Sequence, residues 1–222
     1  MMRKLTTFVL GLLGSVLLVS PAQAATATLH NTLASFNAAA GVTTLADLEG
    51  FAPGTNLSGV SVLPGVSATT NMTTLQAFNS GSIIMFGNGG RELGNAAYTV
   101  NLTLPYLAFA FDITGFEAIP GNSSTASGPG LLTVSFSDAT SQGFNISGNL
   151  TGSPVFVGLT SNTAITRVVW AEALEASGTG NEETGLDNFR VGQSTLVPEP
   201  ASMVLLATGL VGLLACSRRY RA

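Results

Sequence analysis

Apolar and polar residues alternate with period two along most of the middle of this chain. Tyr98, Val100, Leu102 and Leu104 alternate with Thr99, Asn101 and Thr103 until Pro105 interrupts. Such alternation predicts a strand with one buried face. Leu107, Phe109, Phe111 and Ile113 repeat the pattern, with Ala108, Ala110 and Asp112 on the opposite face. Further strands are predicted at Leu132–Phe136, at Phe144–Ile146 after the turn segment DATSQG, at Val155–Leu159 and at Leu186–Val191. A strand over Ile165–Trp170 places Thr166, Val168 and Trp170 on one face, and SIIMFG (82–87) reads as a short apolar strand. One short helix is predicted, capped by Thr32, facing inward with Leu33, Phe36 and Ala40, and stopped at Gly41. Gly/Ser/Thr/Asn-rich loops fall at 115–130 and 177–185. Eight or more short strands without a βαβ rhythm predict an all-β fold, an antiparallel sandwich of jelly-roll type.

The pattern changes at both ends. Arg3 and Lys4 precede an apolar run, then Pro21 and the small-x-small triplet Ala22-Gln23-Ala24. That order predicts a signal peptide over 1–24, cut by signal peptidase after Ala24. At the other end, Ala201–Ser217 carries no charge and is followed by Arg218, Arg219 and Arg221. As a helix this run measures about 25 Å at ~1.5 Å per residue, just enough for a single membrane span. The arginines hold its far end on the cytoplasmic side, so the body is exported and the tail stays inside. The expected organisation is a signal peptide (1–24), a sandwich domain (25–195) and a C-terminal signal (196–222).

Pro198 and Pro200 flank Glu199 just before the span. Each proline lacks an amide hydrogen and biases its predecessor toward extended geometry, which makes a stiff non-helical strip for a processing enzyme to read. The ending resembles the PEP-CTERM sorting signal of Gram-negative, exopolysaccharide-producing bacteria: Pro198-Glu199-Pro200, a Leu/Gly-rich span, then Arg218-Arg219. The resemblance implies recognition by an exosortase, cleavage near the tripeptide, and a mature protein at the cell surface or in the extracellular matrix. A permanent tail anchor is the rival reading.

Charge narrows the function of the middle. Residues 25–195 carry Arg91, Arg167 and Arg190, no lysine and eleven carboxylates, a formal charge of −8. Nucleic acid and anionic membrane surfaces are thereby disfavoured as partners, while cations are permitted. Cys216 is the only cysteine, so no disulfide forms within the chain. His30 is the only histidine, which removes most His-based triads and His-rich metal sites. The expectation is a non-catalytic binding or structural domain, associated with polysaccharide. A secreted carbohydrate-active hydrolase, which needs only two carboxyls, is the alternative.

TLADLEGFAPGTNL (44–57) and GLDNFRV (185–191) bracket the domain. The pair resembles the first and last strands of carbohydrate-binding-module jelly rolls, where these strands run side by side and often hold a structural calcium ion. Carried over, that implies Glu49 and Asp187 as Ca²⁺ ligands, with backbone carbonyls near Gly54 and Thr55. On the residues alone, Glu49 is a solvated edge charge and Asp187-Asn188 a turn or strand start. Trp170 is either a sugar-stacking platform or a core residue.

Overall fold

The computed structural model describes residues 24–78, 83–86, 97–120, 122, 126–171 and 184–193. In chain order its elements are β1 (Ala27–His30), α1 (Leu33–Ala40), β2 (Thr43–Ala46), β3 (Ser61–Leu63), β4 (Val66–Thr70), β5 (Thr74–Ala77), β6 (Ile83–Phe86) and β7 (Ala97–Leu102). They continue with β8 (Ala108–Thr114), β9 (Gly130–Phe136), β10 (Ser141–Ile146), β11 (Val155–Ser161), β12 (Ile165–Ala171) and β13 (Gly185–Gly192). The expected signal peptide with its Ala22, the span, Pro198-Glu199-Pro200 and the arginines Arg218, Arg219 and Arg221 lie outside the described residues. Among the described residues no helix is long and apolar enough to cross a membrane.

The strands form two antiparallel sheets in a jelly-roll-like sandwich. One sheet runs β1-β11-β8-β13-β6-β5, with β2 also paired to β13; the other runs β10-β9-β12-β7-β4-β3. The alternation read from the sequence faces inward from both. Phe109, Phe111 and Ile113 of β8 and Leu186, Phe189 and Val191 of β13 share one core with Tyr98, Val100, Leu132, Val134, Val168 and Trp170 of the opposite sheet. Rings dominate that core: Phe109 stacks on Phe189 at 6.0 Å, Tyr98 on Trp170 at 6.1 Å, and Phe116 meets Trp170 edge-on at 5.2 Å. Rings this large each bury about 150–250 Å² and weigh heavily in the energetics of the core.

The first sheet is buried on part of its outer face as well. Helix α1 starts at Thr32, whose hydroxyl oxygen accepts from the Ser35 backbone N–H at 3.2 Å, and stops at Gly41, which has φ +71°. It lays Phe36 and Ala40 on Ala108 and Ala110 of β8. Small residues are needed beneath the helix. A Cβ built on Gly158 of β11 would lie 2.8 Å from Phe36 Cδ2 and 3.0 Å from Phe36 Cβ.

Two expectations change. Leu33 is 40% exposed instead of inward, because the helix touches the sheet only through Phe36 and Ala40. In β12 the pairing to β9 shifts between Ile165 and Arg167, so Ile165 joins Val168 and Trp170 in the core while Thr166 is only partly covered. Strands β1 and β3–β5, which the sequence pattern did not mark, are only three to five residues long; β1 pairs with β11, β3 with β4, β4 with β7 and β5 with β6.

Gly158→Ala is expected to lower stability by about 1–3 kcal/mol through overpacking against Phe36. A urea denaturation midpoint equal to the parent's would show that the helix does not rest on this spot.

Candidate functional site

The unusual feature of the molecule is the middle of β13. Gly185–Asp187 pairs with Thr114–Asp112 of β8, and Arg190–Gly192 pairs with Ala110–Ala108. Two β13 residues, Asn188 and Phe189, therefore oppose Phe111 alone, which is a β-bulge. Asn188 takes the left-handed conformation this demands, φ +53°, and asparagine is among the residues that tolerate it. The extra residue lets Leu186 and Phe189 both point into the core although they are three apart. It also puts Asp187 and Arg190 on the outer face.

Asp187 sits directly opposite Asp112, and like charges facing each other across strands repel. The bulge supplies the compensation. The Asn188 backbone N–H donates to Asp187 Oδ1 at 2.6 Å, and its side-chain Nδ2 donates to Asp112 Oδ2 at 2.9 Å and to Asp187 Oδ2 at 3.4 Å. Arg190 Nη1 donates to the Asn188 carbonyl at 2.9 Å and stands 3.8 Å from Asp112 Oδ2, with its guanidinium 5.9 Å from the centre of the Phe156 ring. Compensation is unequal. Burial raises the Asp112 carboxyl, opposed by Asn188 and Arg190. Asp187 is pushed up to about 6, first by burial and then by the charges of Asp112, Glu49 and Asp47, against the Asn188 N–H.

Glu49 and Asp187 thus fall in one acidic patch. The cause is the pairing of β2 with β13, Ala46 opposite Phe189, which carries the next residues of the chain toward Asp187. Leu48 is buried with φ +60° and anchors the turn between Asp47 and Glu49. Asp47 and Asp112 are members that sequence reasoning missed; the one available signal for Asp112 was a charge inside the strongly apolar AFAFDIT. Of the backbone groups named beside them, Thr55 O accepts from Ala77 N–H at 2.9 Å, and Gly54 donates its N–H to Ala77 O at 2.8 Å. Among the described residues no group of three or more His, Cys, Asp or Glu side chains is arranged to hold a metal ion. A hard cation at Asp187 would have to complete its oxygen shell with carbonyls and water. Ala24, the residue before the expected cut, accepts from Asn162 Nδ2 at 3.2 Å.

The outer face of the second sheet carries mostly small polar side chains. One row crosses six strands as Ser61, Ser67, Asn101, Arg167, Ser135 and Ser141, and the next crosses five as Thr69, Thr99, Val169, Thr133 and Gly143. Neither row holds a carboxylate or an aromatic ring. Trp170 is 1% exposed, a core residue and not a platform.

Residues 196–219 match the PEP-CTERM protein-sorting motif. The chain therefore carries this signal of exported bacterial proteins, and the match spans Pro198-Glu199-Pro200, Arg218 and Arg219. No curated protein sequence matches the chain. Among solved structures it is similar to variants of the carbohydrate-binding module CBM29-2, of family 29 carbohydrate binding modules. A lysine-to-alanine variant complexed with cellulohexaose shares 16% identity at TM-score 0.41, covering 68% of this chain and 92% of that one. An aspartate-to-alanine variant shares 14% at TM-score 0.40, covering 73% and 95%. The likeness is in fold.

The raised Asp187 pKa has a signed consequence. Between about pH 4 and pH 6 the folded state holds a proton that the unfolded state has released, so this group's contribution to stability falls as pH rises through that window. Asp187→Asn is expected to flatten that part of the stability profile, followed by thermal unfolding from pH 4 to 7. A profile as steep as the parent's would mean that Asp187 titrates normally.

Proposed function

We propose that this chain is an exported bacterial envelope or extracellular-matrix protein, cleaved by an exosortase near Pro198-Glu199-Pro200. In this reading its sandwich is a non-catalytic binding or structural domain associated with polysaccharide. The observation that carries the reading is the sorting motif at 196–219, only three residues beyond the last strand. Five residues separate Gly192 from Pro198, a reach of at most about 20 Å, so a folded sandwich would stand close to the processing site. The signal peptide and the span deliver the domain across the membrane, and cleavage frees it for the surface.

A structural calcium ion belongs to the same reading. The negative charges of Asp112, Glu49 and Asp47 around Asp187 support it, since a divalent cation relieves what burial and like charge impose on Asp187.

Intact-mass measurement of the surface-exposed form is expected to show a chain that begins after Ala24 and has lost the residues beyond about Pro200. Retention of Arg218–Arg221 at the surface would instead mean a permanent tail anchor. Millimolar calcium is expected to raise the melting temperature at neutral pH, and Asp187→Ala to abolish the rise; a parent protein indifferent to calcium removes the ion from the account. Release of reducing sugar from a polysaccharide, lost in Asp187→Asn, would move the chain to the hydrolase alternative.

A further inference from the structure

The rings that could face a sugar are absent from the two outer rows described above, but one half-buried ring borders a cleft at the edge of the sandwich. Here the end of β10, the loop after it and the start of β11 meet the segment that follows β1. The cleft has a volume of about 300 Å³ and is walled by Asn31, Asn145, Ser147, Asn149, Pro154 and Phe156, with Ile146 and Val155 at its base.

Its walls are built before any ligand arrives. Asn149 Oδ1 accepts from Thr151 N–H at 2.9 Å and its Nδ2 donates to the Ser153 carbonyl, which folds the loop on itself. Asn149 also ties that loop to the segment after β8: its N–H donates to Phe116 O at 3.2 Å, and its carbonyl accepts from Ala118 N–H at 2.8 Å. Phe156 is held from behind by Phe36, ring centres 5.9 Å apart, and by the Arg190 guanidinium. By contrast, the side chains of Asn31, Asn145 and Ser147 make no hydrogen bond among the described residues.

The chemistry of this lining is narrow. It contains no ionisable group, although the domain as a whole is strongly acidic. Two unspent amides each offer a carbonyl acceptor and an NH₂ donor, which matches neighbouring hydroxyls that also donate and accept. Phe156 and Pro154 supply an apolar surface for the C–H face of a ring. The volume lies at the lower end of ligand pockets and admits one small unit.

We propose that this cleft is a subsite for one neutral sugar ring of a polysaccharide chain. The proposal rests on the polysaccharide reading above and locates it at the β10–β11 edge, away from the acidic bulge and the sheet faces.

The test uses the full chain in detergent micelles, titrated calorimetrically with neutral hexasaccharides (a β-1,4-glucan, a β-1,4-mannan and an α-1,4-glucan) and with an oligogalacturonate of equal length. At least one neutral probe is expected to bind, equally well at pH 5.5 and pH 8, and more tightly than the oligogalacturonate. The double substitution Asn31→Ala with Asn145→Ala is expected to weaken it about tenfold, the loss of one or two good hydrogen bonds, without shifting the melting temperature. Binding that survives the double substitution overturns the cleft and leaves the polysaccharide reading standing. A preference for the oligogalacturonate overturns the neutral ligand class. No binding of any sugar overturns both.

Discussion

Most of this structure depends on where β13 is inserted. It lies between β8 on one side and β2 with β6 on the other, so one strand late in the chain joins both halves of the seven-stranded sheet. Without it β8 has an open edge, Phe109 and Phe111 lose the Phe189 ring, and β2 has no partner in the sheet. The sandwich is therefore complete only when the last stretch before the sorting motif has reached the same compartment as the rest. Folding and export are linked by topology alone, whatever the domain binds.

The bulge in that strand is a compromise between core and surface. Regular alternation through GLDNFRVG would carry Phe189 to the face opposite Leu186. Inserting Asn188 in the left-handed conformation keeps both inside. The cost falls on the outer face, where Asp187 and Asp112 are forced opposite each other in half-buried surroundings. Asn188 and Arg190 offset part of that cost for Asp112, whereas Asp187 also feels the negative field of Glu49 and Asp47. The same local geometry thus makes the core continuous and brings four carboxylates into one patch.

The distribution of rings constrains recognition. Tyr98, Trp170 and the phenylalanines of β8 and β13 are spent on the core, and the two outer rows of the second sheet hold hydroxyls, one amide, one arginine, Val169 and Gly143. Broad stacking platforms on the sheet face are therefore not how this domain would hold a ligand. Phe156 is different because it sits on the outer face of β11 at the rim of α1, half covered and bordered by polar side chains with unused hydrogen-bonding capacity.

How legible this was depends on how local each signal is. Strict alternation marked β7 to β9 and β11, because a buried face leaves period two in the residues themselves. Thr32 and Gly41 marked α1, because caps are local chemistry. The sorting signal was readable in full, since stiffness, apolar length and charge order are properties of linear sequence. By contrast β1 and β3–β5 are only three to five residues long, too short for period two to stand out, and the register shift at Ile165 comes from pairing with β9. The acidic patch was half visible: the bracketing segments pointed to Glu49 and Asp187, but Asp112 and Asp47 join them through strand neighbours that no spacing reveals. Sequence by itself determined the class of fold, the sorting motif and the charge of the domain. Tertiary structure decided which carboxylates meet, which rings are spent and where a cleft opens, because those follow from which strands lie side by side.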